Sequence, residues 1–175
     1  MSAKIPSIQT AHLTLCPLQA EDAQILLRIY QVEGVLQYFP NTTPPSLEKV
    51  QKFIAGQEKH WAEYGYGNWG ILPEGERQIV GWAGLQYVPE LEETEVGYLF
   101  NRPFWGKGYA TEAARASLQF GFENFNFDHI IALVHPDNLG SRRVIEKCSM
   151  TYMENKVLWG LEMMRYQVER PDCPA

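Results

Sequence analysis

The run Trp105-Gly106-Lys107-Gly108-Tyr109-Ala110-Thr111-Glu112-Ala113 follows a strand-like segment, Glu95 to Phe100, and opens a helical one that reaches about Asn124. A strand that ends in a glycine turn and restarts as a helix leaves several backbone N–H groups unpaired at the helix start, converging on one point. Such a point binds phosphate or another anion. Gly106 and Gly108 carry no Cβ, so a ligand can come close to the backbone, and Lys107 adds a mobile positive charge. An ordinary strand-to-helix connection is the plainer alternative; the specificity of the flanking chain favours anion binding.

Outward from this turn, Ile130-Ile131-Ala132-Leu133-Val134 reads as a strand covered on both faces, which calls for a parallel neighbour. The Thr94 to Phe100 strand is that neighbour, joined to it by a crossover through the helix, so the glycine turn lies at the C-terminal edge of a parallel pair. A helix from Asn138 to Lys147 and strands around Thr151 to Lys156 and Glu162 to Val168 follow. Upstream, Thr10 to Leu18 alternates as a strand, and Ala20 to Val32 carries Ala23, Leu26, Leu27 and Tyr30 at helical spacing. Gly34 to Pro45 is a loop, either one wall of a substrate site or a plain connector. Ser46 caps a second helix that runs to Tyr64 and stops at Gly65. Asn68 to Leu72 and Gln78 to Val88 form an antiparallel pair across Pro73-Glu74-Gly75-Glu76.

The 175 residues suffice for one domain with a full core, and 45% hydrophobic with 21% charged residues is a globular composition. A net charge of −6 argues against nucleic acid as the main partner. Against that background Arg102, Lys107, Arg115, Arg142, Arg143 and Lys147 flank the glycine turn and the Asn138 segment, either as a basic pocket for an anion or as solvated helix faces. Cys16, Cys148 and Cys173 are an odd set without metal-like spacing, which speaks against a disulfide framework or a zinc site and fits a reducing cytoplasm. No apolar run is long enough to span a bilayer, so no membrane partner is expected, and the last residues, 171–175, read as a frayed tail.

Three segments, in order and in strand-turn-helix context, resemble the GNAT acetyltransferases: Glu95-Val96-Gly97-Tyr98, the glycine turn, and Asn138-Leu139-Gly140-Ser141-Arg142-Arg143-Val144-Ile145. Within that family the chain looks most like the ribosomal-protein N-terminal acetyltransferases RimJ and RimL. The resemblance implies a single α/β (α+β) domain of the GNAT fold over residues 1–175, a mixed central sheet with a splayed parallel strand pair and flanking helices. It implies acetyl-coenzyme A as co-substrate, without a metal, with the pyrophosphate on the N–H groups of Gly106, Lys107, Gly108, Tyr109 and Ala110. Val96, Gly97 and Tyr98, Thr111 behind the turn, and Ser141 with Arg142 complete the expected cofactor contacts, and Asn138 would bond the pantetheine arm while capping its helix. Trp105, which the resemblance also makes a cofactor contact, stands where the family usually has Arg or Gln. Ser149 stands where it commonly has Gly, so a helix would have to end on a left-handed serine.

Transfer of an acyl group to an amine needs a neutral amine, a stabilised oxyanion and a protonated leaving thiolate. Strand parity places Glu93, Glu95 and Gly97 on one face and Thr94, Val96 and Tyr98 on the other. Glu95 is the first candidate base, through water, and Glu93 the second; both could instead be exposed carboxylates beside a turn. N–H groups near Gly97 and Tyr98, freed by the splay, could meet the oxyanion. Where many of the family use a Tyr as acid this chain has Ile145, and the resemblance offers Ser141 in its place. His135 could be a base, a cofactor contact or structural, and Tyr38, Phe39, Trp61, Tyr64, Tyr66, Trp69 and Trp82 are either pocket or core aromatics. The expected acceptor is a primary amine, a protein N-terminus or a small molecule, with the protein a monomer or homodimer; a non-catalytic acyl-CoA sensor is the alternative. A nucleoside-triphosphate loop would need two glycines four residues apart followed by Lys and Ser or Thr, which this turn lacks.

Overall fold

The computed structural model describes residues 4–171, so most of the expected tail, from Asp172 on, and Cys173 lie outside the described residues. Eight strands form one sheet in the order β1-β2-β3-β4-β5-β6-β8-β7. They are β1 (Ile8–Gln9), β2 (Leu13–Cys16), β3 (Asn68–Pro73), β4 (Gly81–Val88), β5 (Glu93–Phe100), β6 (His129–Val134), β7 (Thr151–Leu158) and β8 (Leu161–Glu169). The helices are α1 (Asp22–Tyr30), α2 (Leu47–Tyr64), α3 (Tyr109–Asn124) and α4 (Leu139–Lys147).

Local chemistry sets the element ends. Ser46 Oγ accepts from the Lys49 N–H at 3.3 Å and starts α2, and Gly65 ends it at φ +78°, a left-handed conformation open to a residue without a Cβ. The expected strand Thr10 to Leu18 is shorter, because Thr10 and His12 turn aside to bond the Glu112 carboxylate on α3. Leu13 and Leu15 of β2 are buried, as the alternation requires.

The first five strands run antiparallel. Packed on one face, α3 contributes Ala113, Ala114 and Leu118 to a core shared with Leu85, Val96 and Ile130. Gly121 permits this approach, since a Cβ there would lie 2.7 Å from Leu85 and 2.9 Å from Ile130. The other face holds a second core in which Leu26 and Ile29 of α1 and Val50 and Ile54 of α2 meet Leu99 of β5.

The parallel pair is β5 with β6, as expected, and their ladder has a single register pair, Glu95 with Ile131. Beyond it the strands diverge. On the near side they are tied by Glu93, whose carboxylate bonds His129 of β6 at 2.7 Å and Arg165 of β8 through Nε at 3.0 Å and through Nη2. On its other side β6 pairs antiparallel with β8, which lies between β6 and β7.

Candidate active site

Where β5 and β6 part, a cavity of about 150 Å³ opens beside Glu95, Gly97 and Tyr98 of β5. Asn138, Ser141 and Ile145 of α4 border one side of it, and His135 follows β6 at its rim. Six of the expected residues, Glu95, Val96, Gly97, Tyr98, Asn138 and Ser141, therefore share one cavity.

Glu95 is half-buried and opens onto this cavity, on the α1 and α2 face of the sheet that strand parity requires. Burial, and secondarily the charge of Glu90, push its pKa up to about 7. A carboxylate that titrates there can attract an ammonium group and take its proton near neutrality. Glu93 has a different environment. Burial raises its pKa, but the hydrogen bonds from Arg165 and His129 outweigh this and hold it below the usual range. Its carboxylate clamps strands and lies outside the residues that line the cavity.

Across the cavity the Tyr98 hydroxyl lies 2.7 Å from Ser141 Oγ and donates to the Ser141 carbonyl at 3.2 Å. Burial drives the Tyr98 pKa upward, so the phenol stays protonated and holds Ser141 as a hydrogen-bond partner. Asn138 caps α4 by accepting from the Ser141 N–H at 3.1 Å, which fixes the same residue from its backbone. Parity alone had put Tyr98 opposite Glu95; its bond to Ser141 depends on how α4 docks. Ile145 is buried in the core, 2% exposed. Arg142 donates from Nη1 to the Pro136 carbonyl at 3.4 Å, and its Nε is buried without a partner.

The glycine turn is exposed and strongly bent, with Gly106 at φ +74° and Gly108, the N-cap of α3, at φ +81°. A Cβ at either would meet no protein atom within 4 Å, so the backbone here faces open space. Lys107 Nζ lies 5.3 Å above the Phe104 ring, and Tyr109 stacks on that ring from the other end of the turn. Trp105 does not replace the missing cation: its indole donates to the Phe100 carbonyl at 2.7 Å and braces the end of β5. Ala110 and Thr111 fill the first turn of α3. A groove of about 830 Å³ runs on from Lys107, Gly108 and Thr111 along α3, with Arg115 and Lys147 beside it, so these three cations share one surface. Arg102 is engaged elsewhere, with the Glu33 carbonyl.

A strand pair that splays beside a carboxylate, with an open glycine turn at the start of the following helix, is an arrangement shared by a known family. Residues 12–151 match the model of the acetyltransferase (GNAT) domain. The chain belongs to the GNAT acetyltransferases. The uncharacterized N-acetyltransferase YnaD of Bacillus subtilis is 46% identical over 143 residues, 82% of this chain and 81% of its own. The FsC-acetyl coenzyme A-N(2)-transacetylase of Aspergillus fumigatus is 30% identical over 158 residues, 85% of this chain and 66% of its own. The solved structure of RimL, a ribosomal alpha-N-protein acetyltransferase in complex with coenzyme A, superposes with a TM-score of 0.79. It is 16% identical and covers 94% of this chain and 98% of its own, which shows a common fold. This GNAT chain is thus an N-acetyltransferase whose structural neighbours include a coenzyme A complex.

The aromatic candidates divide. Tyr38, Phe39 and Trp82 line the cavity. Trp61 and Trp69 are buried in the core and Tyr66 bonds Thr94 beneath the sheet, while Tyr64 stacks on Tyr87 outside the site. His135 stacks on Tyr38 at 5.4 Å and accepts at Nδ1 from the Asp137 N–H. Trp159 and Met163 also line the cavity and escaped the sequence reading. The available signal was Trp159-Gly160, a two-residue hairpin turn with both residues at positive φ, +52° and +79°. A turn motif does not disclose which part of the sheet it covers. No helix of the described residues is long and apolar enough to cross a membrane.

Proposed function

We propose that this GNAT protein transfers an acetyl group from acetyl-CoA to a primary amine, with Glu95 as base and Ser141 as acid. The observation that carries the reading is that the Glu95 carboxylate and the Ser141 hydroxyl open on one cavity at the strand splay. A free α-amine has a pKa near ~8 and a lysine amine near ~10.4, so both reach the site protonated at neutral pH. Glu95 holds the ammonium and accepts its proton, directly or through water. Peptide N–H groups that β5 turns toward β6 beyond the Glu95 and Ile131 pair, where β6 has diverged while β4 stays paired on the other side, suit the developing oxyanion. Ser141, oriented by Tyr98, supplies a proton to the departing thiolate.

The open glycine turn fits a pyrophosphate, because two left-handed glycines present backbone without Cβ obstruction at the start of a 16-residue helix. Lys107, Arg115 and Lys147 suit the remaining phosphate charge. The acceptor is an amine on a protein N-terminus, in line with the resemblance to RimJ and RimL, or on a small molecule. The free thiols of Cys16 and Cys148 suit a reducing cytoplasm. Thermal unfolding with acetyl-CoA, CoA and ATP in parallel tests the donor. Saturation at ~100 times Kd adds ~2.7 kcal/mol, or roughly 5 to 10 °C in Tm. A rise with both CoA species and none with ATP is expected; no rise with acetyl-CoA refutes the reading.

A further inference from the structure

Glu95 is the one carboxylate among the described residues that line the acceptor side of the cavity. Apart from the His135 imidazole, the rest of that side is aromatic and apolar: Tyr38, Phe39, Trp82, Trp159 and Met163. The polar atoms of the two indoles are already engaged. Trp82 donates to the Tyr30 hydroxyl at 3.0 Å, and Trp159 donates to Glu90 at 2.9 Å, across from the β7–β8 turn to the β4–β5 turn. Their rings are left to offer apolar faces and edges. Tyr38 is held in turn by its stack on His135. The next carboxylate, Glu90, lies outside the lining and is already held by the Trp159 indole, so a polycation brought here would bury ammonium groups against Glu95 alone, which is costly. The rings of Tyr38, Phe39, Trp82 and Trp159 form a wall on which a flat apolar group can pack.

Resting on the amine-acetyltransferase reading, we infer that the acceptor is a primary monoamine bearing one flat, ring-sized apolar group, with Trp159 as the residue that selects for that ring. Glu95 receives the single amine and the aromatic wall receives the ring. A free arylalkyl amine and a peptide whose first residue is aromatic present the same chemistry.

The test is thiol release from acetyl-CoA with four acceptors: phenethylamine, a tetrapeptide beginning with phenylalanine, ethylamine and spermidine. One of the two ring-bearing acceptors is expected to exceed both ethylamine and spermidine in kcat/KM by about tenfold or more, and the better of the two names the source. In Trp159→Ala, with Tyr38→Ala as a second variant, that preference should fall to within about threefold through a higher amine KM. The rise in Tm with acetyl-CoA should be unchanged, which shows the variants folded. Spermidine turned over as well as or better than the ring-bearing acceptors overturns the inference and leaves acetyl transfer standing. So does a preference that survives both substitutions. No thiol release with any amine, while acetyl-CoA still raises Tm, overturns the amine-acceptor reading and the inference together.

Discussion

Replacing Glu95 with glutamine separates the chemistry of this site from its cost to the fold. Carried from its ordinary 4.5 to about 7, the carboxyl makes ionisation harder in the folded protein than in the unfolded chain. At 1.36 kcal/mol per pH unit the difference is about 3 kcal/mol. Below pH 4.5 both states hold the proton and Glu95 costs nothing. As pH rises, the unfolded chain releases its proton first and the native protein holds on until about 7, so stability is lost across that window and the full cost applies above it. Glu95→Gln should therefore match the wild type at pH 4 and exceed it by about 3 kcal/mol at pH 9, roughly 6 to 12 °C in Tm. Its kcat/KM should fall about 100-fold or more, and the rising limb near pH 7 should vanish from its profile. Calorimetry at the two pH values and thiol-release kinetics across the range read both effects. A variant no more stable than wild type at pH 9, or one that keeps more than about a tenth of kcat/KM, refutes the assignment.

Ser141→Ala should lower kcat about tenfold or more with little change in acetyl-CoA Kd, and Tyr98→Phe should lower it less, since it removes only the group that orients Ser141; single-turnover rates and calorimetric binding check both. Gly108→Ala adds a Cβ that touches no protein atom, so it should cost about 1 to 2 kcal/mol of left-handed strain and also weaken acetyl-CoA about tenfold. Gly75→Ala, equally left-handed at φ +84° and equally open, should show the strain alone by thermal and binding measurements. Ser149 ends α4 at φ +62°, with the Met150 N–H on the Ile145 carbonyl and the Ser149 N–H on that of Glu146. Ser149→Gly should accordingly raise stability by about 1 kcal/mol in urea unfolding, with unchanged turnover.

Much of this protein is local in origin and could be read from the chain. The Ser46 cap, the Gly65 stop, the left-handed Ser149 and the strand, glycine turn and helix around residue 108 rest on hydrogen bonds and backbone preferences that reach four or five residues. Alternation in β5 put Glu95 and Tyr98 on opposite faces because successive strand side chains must point apart. Tertiary structure alone decided the rest. It placed β8 between β6 and β7, and it committed Glu93 to Arg165, 72 residues away, so that the carboxylate clamps strands. It set the Tyr98 hydroxyl against Ser141 across 43 residues and stood Trp159 over the cavity by a bond to Glu90 across 69. Such contacts follow from sheet order and helix docking, which are fixed by how the whole chain buries its apolar surface, and no short stretch of sequence carries that information.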